Sequence, residues 1–359
     1  MKVFHCRCGQ LLFFENVNCV RCGLALAYVR DEKDIVSLDP GPIEDVPRRW
    51  TSPRSPRVYR LCDNYTRYSV CNWALPYDDP SGLCRACRLT KTIPNLARPG
   101  NDRLWYQLEV AKRRLVYTLD QLGLPVENRV EAPDRGLLFE FLEDRPDGTK
   151  VMTGHDNGII TINIAEADEA ERVKRRLELN EPYRTVLGHF RHEIGHYYWD
   201  RLVRGTRRIG PFRDLFGDEQ EDYQAALERY YREGPRPGWQ DSHVSAYATM
   251  HAWEDWAETW AHYLHMTDTL ETAAACGISI DPPRSGEPAL SCVPNPLTDD
   301  RVSFDRMMDG WSSITYVLNN LNRGLGNGDA YPFVLSTLSQ RKLRFVHEVI
   351  AETCRGDAV

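Results

Sequence analysis

The stretch "GHFRHEIGHYYWD", residues 188–200, decides how the chain is read, because it places His192, Glu193 and His196 at the H-E-x-x-H spacing. Val186, Phe190, Ile194 and Tyr197 recur as one apolar stripe, so the segment predicts a helix over about 183–203. On that helix His192 and His196 stand one turn apart on another face, where both imidazoles can converge on one ion. Glu193 lies beside them, placed to take a proton from water. A zinc site of this kind needs neutral nitrogen ligands and an open position. Three fixed residues recur by chance in about 4% of chains this long, so support must come from the surroundings. Gly195 supplies some, since glycine inside a helix costs about 1 kcal/mol and marks close backbone approach. His189 reads as a supporting or surface residue, because the metal-facing pair is already complete.

A third ligand is sought in "SAYATMHAWEDWAETWAHYLHM", residues 245–266, within a helix expected over 243–266. His251, Glu254, Glu258, His262 and His265 fall on one polar stripe without lysine or arginine, among Trp253, Trp256, Trp260 and Leu264. Buried carboxylates require a cation or hydrogen-bond donors, which makes Glu254 the candidate third ligand. Glu258, one turn on, suits a supporting role on a ligand imidazole or on the ligand carboxylate, and Asp200, four residues past His196, is a second candidate for that task. Tyr247 lies two turns before Glu254 on the same expected helix, where its phenol could donate to a developing oxyanion.

Eight of the 11 cysteines lie in the first 87 residues. Cys6, Cys8, Cys19 and Cys22 form C-x-C, ten residues, then C-x-x-C, with Gly9 and Gly23 just after each pair and "LLFF" between them reading as strand. Cys62, Cys71, Cys84 and Cys87 form a second, looser set. Both read as structural zinc sites rather than disulfides, which with the absence of a signal-peptide pattern or a long apolar run points to the cytoplasm and to no membrane.

At 359 residues and 42% hydrophobic content the chain has material for more than one core. Residues 1–100 carry 15 Lys+Arg against 10 Asp+Glu, a net +5, and the remainder is about −12. Two tetrathiolate zinc sites at −2 each would reduce that +5 to about +1, which argues against nucleic acid as a partner.

Residues 37–60, "SLDPGPIEDVPRRWTSPRSPRVYR", are expected as an irregular connector. A helix then runs from about Asp102 to a stop at Gly123, strands follow in 136–144 and 151–168, and helices over 168–180, 183–203, 219–232, 243–266, 303–322 and 332–354. A Pro/Gly-rich loop, 277–298, interrupts them. The expected fold class is α+β, with a small β tandem zinc-ribbon domain (1–98) followed by a mostly helical, zincin-like domain with a small sheet (99–359).

At these residues the chain resembles a gluzincin. "YATMHAWEDWAE" is similar to the lethal-factor-like branch of zinc metallopeptidases, and the full layout resembles a bacterial family of zinc-binding metallopeptidases with an N-terminal zinc-ribbon domain. The resemblance implies His192, His196 and Glu254 on a catalytic zinc, Glu193 as base, Tyr247 as oxyanion partner and Glu258 as support. The E-x-x-x-E spacing departs from the E-x-x-x-D of thermolysin-like gluzincins, which weakens the ranking of Glu254 over Glu258. The expected activity is hydrolysis of a peptide or protein by metal-activated water, with one catalytic and two structural zinc ions, and with the ribbons available to a protein partner. Two other readings stand beside it: a non-catalytic ribbon adaptor on a zincin scaffold, and a nucleic-acid-associated protease with salt-dependent binding.

Overall fold

The structure is a computed structural model that describes residues 1–145, 147–178, 185–299 and 301–355. The first cysteine set sits on a short hairpin, β1 (Phe4–His5) and β2 (Leu11–Leu12), paired antiparallel. Five strands then close a barrel: β3 (Ala25–Val29), β4 (Asp34–Pro40), β5 (Trp50–Ser52), β6 (Ser55–Leu61) and β7 (Trp73–Pro76). Ala27, Val29, Val36, Leu38 and Tyr59 fill it. Residues 37–60, expected as a connector, therefore supply strands. Their prolines are at positions a strand tolerates: Pro40 ends β4, Pro53 lies in the β5–β6 turn, and Pro56 is exposed near the start of β6. The second cysteine set surrounds the one-turn helix α1 (Asp63–Thr66), whose first flanking residue is Cys62.

Strand β8 (Thr90–Thr92) leaves the cysteine region and pairs in parallel with β9 (Leu138–Leu142). With β10 (Gly154–Asp156) and β11 (Ile159–Asn163) they form a four-stranded sheet ordered β10-β11-β9-β8. β10 is antiparallel to β11, whereas β11 and β9 are parallel. "GIITINI", residues 158–164, which the sequence offers as an edge for an added peptide strand, is instead an inner strand, because β10 pairs along its outer side.

Helix α2 (Asn101–Gln121) stands between the two halves of the chain. Its buried Leu108, Ala111, Leu115 and Leu119 follow the expected helical spacing, and Gly123 ends it in the left-handed region at φ 72°. Tyr117 meets Phe14 and Tyr28 of the first half at ring separations of 5.6 and 5.8 Å. One buried cluster accordingly runs from Phe4 and Trp73 through α2 to Phe139, Phe190 and Trp260.

The remaining helices are α3 (Glu169–Glu178), α4 (Val186–Leu202), α5 (Ile209–Phe216), α6 (Tyr223–Glu233), α7 (Ala252–Ala275), α8 (Phe304–Gly324) and α9 (Thr337–Arg355). α5 lies outside every expected helix, and residues 179–180 of the expected 168–180 helix lie outside the described residues. The largest displacement is at α7. His251 adopts extended backbone and its Nδ1 accepts the Trp253 N–H, so the helix starts at Ala252 rather than near 243. Residues 247–249 form a separate 3-10 turn. No described helix is long and apolar enough to cross a membrane.

Candidate metal centre and active site

α4 and α7 cross at Gly195. A Cβ there would lie 3.0 Å from Ala257 Cα and 3.1 Å from Trp260 Cβ, and Trp256 Nε1 donates to the Gly195 carbonyl at 2.9 Å. This is the close approach that a glycine in the helix interior implies, and it sets His192 and His196 opposite Glu254 and Glu258.

His192 Nε2 and His196 Nε2 are 3.2 Å apart, and Glu254 Oε2 lies 2.9 Å from the first and 3.5 Å from the second. His192 Nδ1 meets Glu258 Oε1 at 2.7 Å, while Ser245 Oγ donates to Glu258 Oε2 at 2.6 Å. A carboxylate only accepts, so Nδ1 of His192 carries the proton and Nε2 of the neutral ring offers a lone pair. Three lone-pair donors therefore converge, and Glu254 Oε2 is buried without a hydrogen bond. Such a cluster requires positive charge at its centre. Burial alone would raise the Glu254 carboxyl, but His196 and His192 hold it well below the usual carboxylate range. Burial likewise opposes charge on His192, yet Glu254 and Glu258 drive it toward imidazolium in the metal-free chain. Ligand atoms around a tetrahedral zinc at about 2.0–2.1 Å are spaced about 3.3 Å apart. The observed spacings fit that ion.

Glu193 is 7% exposed, with no hydrogen bond or ion pair to another side chain among the described residues. Burial raises its pKa, and His192 and His196 only partly offset this, the direction suited to a group that must bind and release a proton near neutrality. His196 is oriented differently from His192. Its Nδ1 is buried without a hydrogen bond, and its ring lies 3.7 Å from that of Trp253. Asp200, a candidate for supporting a ligand imidazole, accepts from Arg204 at 3.3 Å and makes no hydrogen bond to an imidazole among the described residues.

Tyr247 is not on the helix of Glu254, since the His251 cap separates them, but the 3-10 turn still brings its ring 6.0 Å from that of His192. Burial, with Glu254 and Tyr223 nearby, holds its phenol protonated, well above the usual tyrosine range. Tyr223, at the start of α6, donates to Glu254 Oε1 at 2.8 Å. Sequence reasoning missed Tyr223. Asp222 accepts from Ala225 N–H and marks the start of α6, a readable cap, but nothing local ties that helix to Glu254. His155 on β10 was also missed. Its ring lies 6.3 Å from that of His196, and burial pushes its pKa down to about 3, so it lines the site as a neutral group.

The other histidines of the expected stripe serve elsewhere. His251 caps α7, His262 Nδ1 meets the Tyr331 hydroxyl at 2.9 Å, and His265 packs against the rings of Trp311 and Tyr331. His189 pairs with Glu166 at 3.3 Å.

The two cysteine sets are each gathered. All sulfurs within a set lie within 4.8 Å of one another, with Cys6–Cys22 at 3.5 Å, Cys8–Cys19 at 3.6 Å and Cys71–Cys84 at 3.7 Å. Thiolates around a tetrahedral zinc at about 2.3 Å are about 3.8 Å apart, which both sets approach. Backbone N–H groups of Trp73 and Cys84 point at Cys71 and Cys62 sulfurs, each at 3.4 Å, as thiolate ligands require.

Residues 101–349 match the family described as "Putative zinc-binding metallo-peptidase", and residues 3–98 match a zinc-ribbon domain. An uncharacterized protein of Mycobacterium bovis and its counterparts in two strains of Mycobacterium tuberculosis are each 42% identical over 355 residues, covering 98% of this chain and 96% of the relative. No solved structure matches.

Proposed function

The chain belongs to that zinc-binding metallo-peptidase family, and from this premise we propose that it is a gluzincin-type peptidase in which His192, His196 and Glu254 hold the catalytic zinc and Glu193 is the general base. The observation that carries the reading is the convergence of three lone-pair donors at 2.9–3.5 Å, next in sequence to Glu193, which has no hydrogen bond or ion pair among the described residues. A zinc ion held there supplies a Lewis acid that acidifies water and polarises a peptide carbonyl.

The chain's own groups do the rest. Glu193 takes the proton from the attacking water and delivers it to the amine that leaves. Glu258 and Ser245 keep His192 in the tautomer that presents Nε2, while Trp253 fixes the plane of His196. The Tyr223–Tyr247 pair supplies a phenol for the oxyanion, with Tyr223 the more exposed of the two at 36%. Asp200 has no part in the ligand set. The outer strand β10 runs beside α4, where an extended peptide could add to the sheet, so peptides or proteins are the substrates. The cysteine sets hold two structural zinc ions, giving three per chain, and leave the ribbon face to a protein partner. Eight thiols at metal-binding rather than disulfide spacing support a reducing, cytoplasmic setting.

The test compares the wild-type chain with Glu193→Gln in a whole-cell lysate, scoring new peptide termini. New termini in the wild type only, with about three zinc ions in both proteins, support the reading. A fall of 10²–10⁴-fold is the range for loss of a general base. Equal cleavage by Glu193→Gln after zinc reconstitution removes the base assignment.

A further inference from the structure

A pocket of about 360 Å³ opens at the C-terminal end of α6, separated from the metal cluster by the ring of Tyr247. Its floor includes Ala226 and Met250, both 1% exposed, and Tyr230 forms a wall. The same two elements build both sites. α6 carries Tyr223 to Glu254 at its first residue and Tyr230 to the pocket two turns later. The Tyr247 ring stands between them, 6.0 Å from the ring of His192 and 5.7 Å from that of Tyr230. An extended peptide advances about 3.3–3.4 Å per residue, so a residue about three places from a bond cut at the metal cluster reaches this pocket.

The charges at the mouth are unequal. Glu233 is engaged by Arg232 at 2.7 Å. Arg229 has only a long, solvent-exposed pair with Glu221 at 3.9 Å, and Arg236 has no ion pair among the described residues. Arg236 is held in "GPRPG", residues 234–238, where the prolines on either side restrict its backbone before any ligand arrives. An apolar floor under two available guanidinium groups suits a short apolar stem ending in a carboxylate, which guanidinium binds through paired N–H donors.

We infer that this pocket is a specificity subsite for a carboxylate on the peptide, either a glutamate side chain or the free C-terminus, about three residues from the scissile bond. The inference rests on the peptidase reading for its substrate class, but binding tests it apart from turnover. The zinc-loaded, full-length Glu193→Gln protein is titrated by fluorescence anisotropy with three labelled decapeptides of alanine, serine and glycine. One has a single Glu and an amidated end, one has Gln in its place, and one has Gln and a free C-terminal carboxylate. The expected result is that the Glu or the free-carboxylate peptide binds about tenfold more tightly than the amidated Gln peptide, in a salt-dependent manner. Adding Arg229→Gln and Arg236→Gln together should abolish the difference, and whichever acidic peptide shows it identifies the source of the carboxylate. Equal binding of all three, no binding, or a preference that survives both substitutions overturns the inference. A preference of this kind in a wild-type chain that cleaves none of the peptides or lysate proteins would instead count against the peptidase reading and leave the subsite standing.

Discussion

The two tetrathiolate sets have the same chemistry but opposite settings. In the first, Cys6 and Cys19 are buried, Cys8 is half-buried and Cys22 is exposed, beside a hairpin of two-residue strands. In the second all four cysteines are buried, among α1, β7, β8 and α2. Beside this second set lies Arg113, 1% exposed, whose guanidinium donates to the Val70 carbonyl. Burial would lower its pKa, but Cys71 and Glu109 hold it up. A tetrathiolate zinc held by this set would carry −2, and Arg113 would offset part of it inside the core. The contrast is one of exposure: both sets join the core shared with the metallopeptidase half, the first through Cys6 and Cys19 and the second through all four cysteines.

The largest expected effect comes from Cys84→Ala. Structural zinc sites contribute on the order of 10 kcal/mol to folding, comparable with the total stability of a typical domain. The variant should lose the cooperative thermal transition by circular dichroism and also the zinc of the catalytic cluster. A normal transition with two zinc ions retained would place both sets on an equal footing. Arg113→Met comes next. Removing the buried partner of a charged centre costs about 3–5 kcal/mol, read in denaturant titration, with the zinc of the first set retained. An unchanged midpoint would mean that the guanidinium carries no such load. For Cys22→Ser the expectation is loss of one zinc ion and a smaller shift of the main transition than in Cys84→Ala, since Cys22 is exposed and its side chain is not part of the shared core. Least invasive is zinc release to a colorimetric chelator, which should show an early phase from the set that contains the exposed Cys22 and a late phase from the fully buried set. A single phase for both would erase the distinction.

How much of this could be read from the residues depends on how local each signal is. The α4 stripe, Gly195 and the His192–His196 pair are contained in one helix, and so is the spacing of Glu254 and Glu258 on α7. The cysteine sets announce themselves by residue type and spacing. Signals that depend on partners distant in sequence were not legible. Strands β4 to β6 are defined by closing a barrel, which a proline-rich segment conceals. The start of α7 was misplaced because the whole 243–266 stretch lacks a breaker, and only the His251 side chain, turned onto the Trp253 N–H, decides the matter. Tyr223 reaches Glu254 across 31 positions, through the packing of α6 alone. Asp200 meets Arg204 one turn on at 3.3 Å.

Strand β8 has a consequence for how such a chain can be inherited. It lies in the ribbon half of the sequence, upstream of residue 98, yet its hydrogen bonds complete the sheet of the other half by pairing Thr90 with Phe139. Recombination in the linker before α2 would give the donor gene's ribbon one strand too many and leave the recipient sheet one short. A cut before Thr90 keeps the four-stranded sheet whole, so an exchange there, and not in the linker before α2, would preserve both halves.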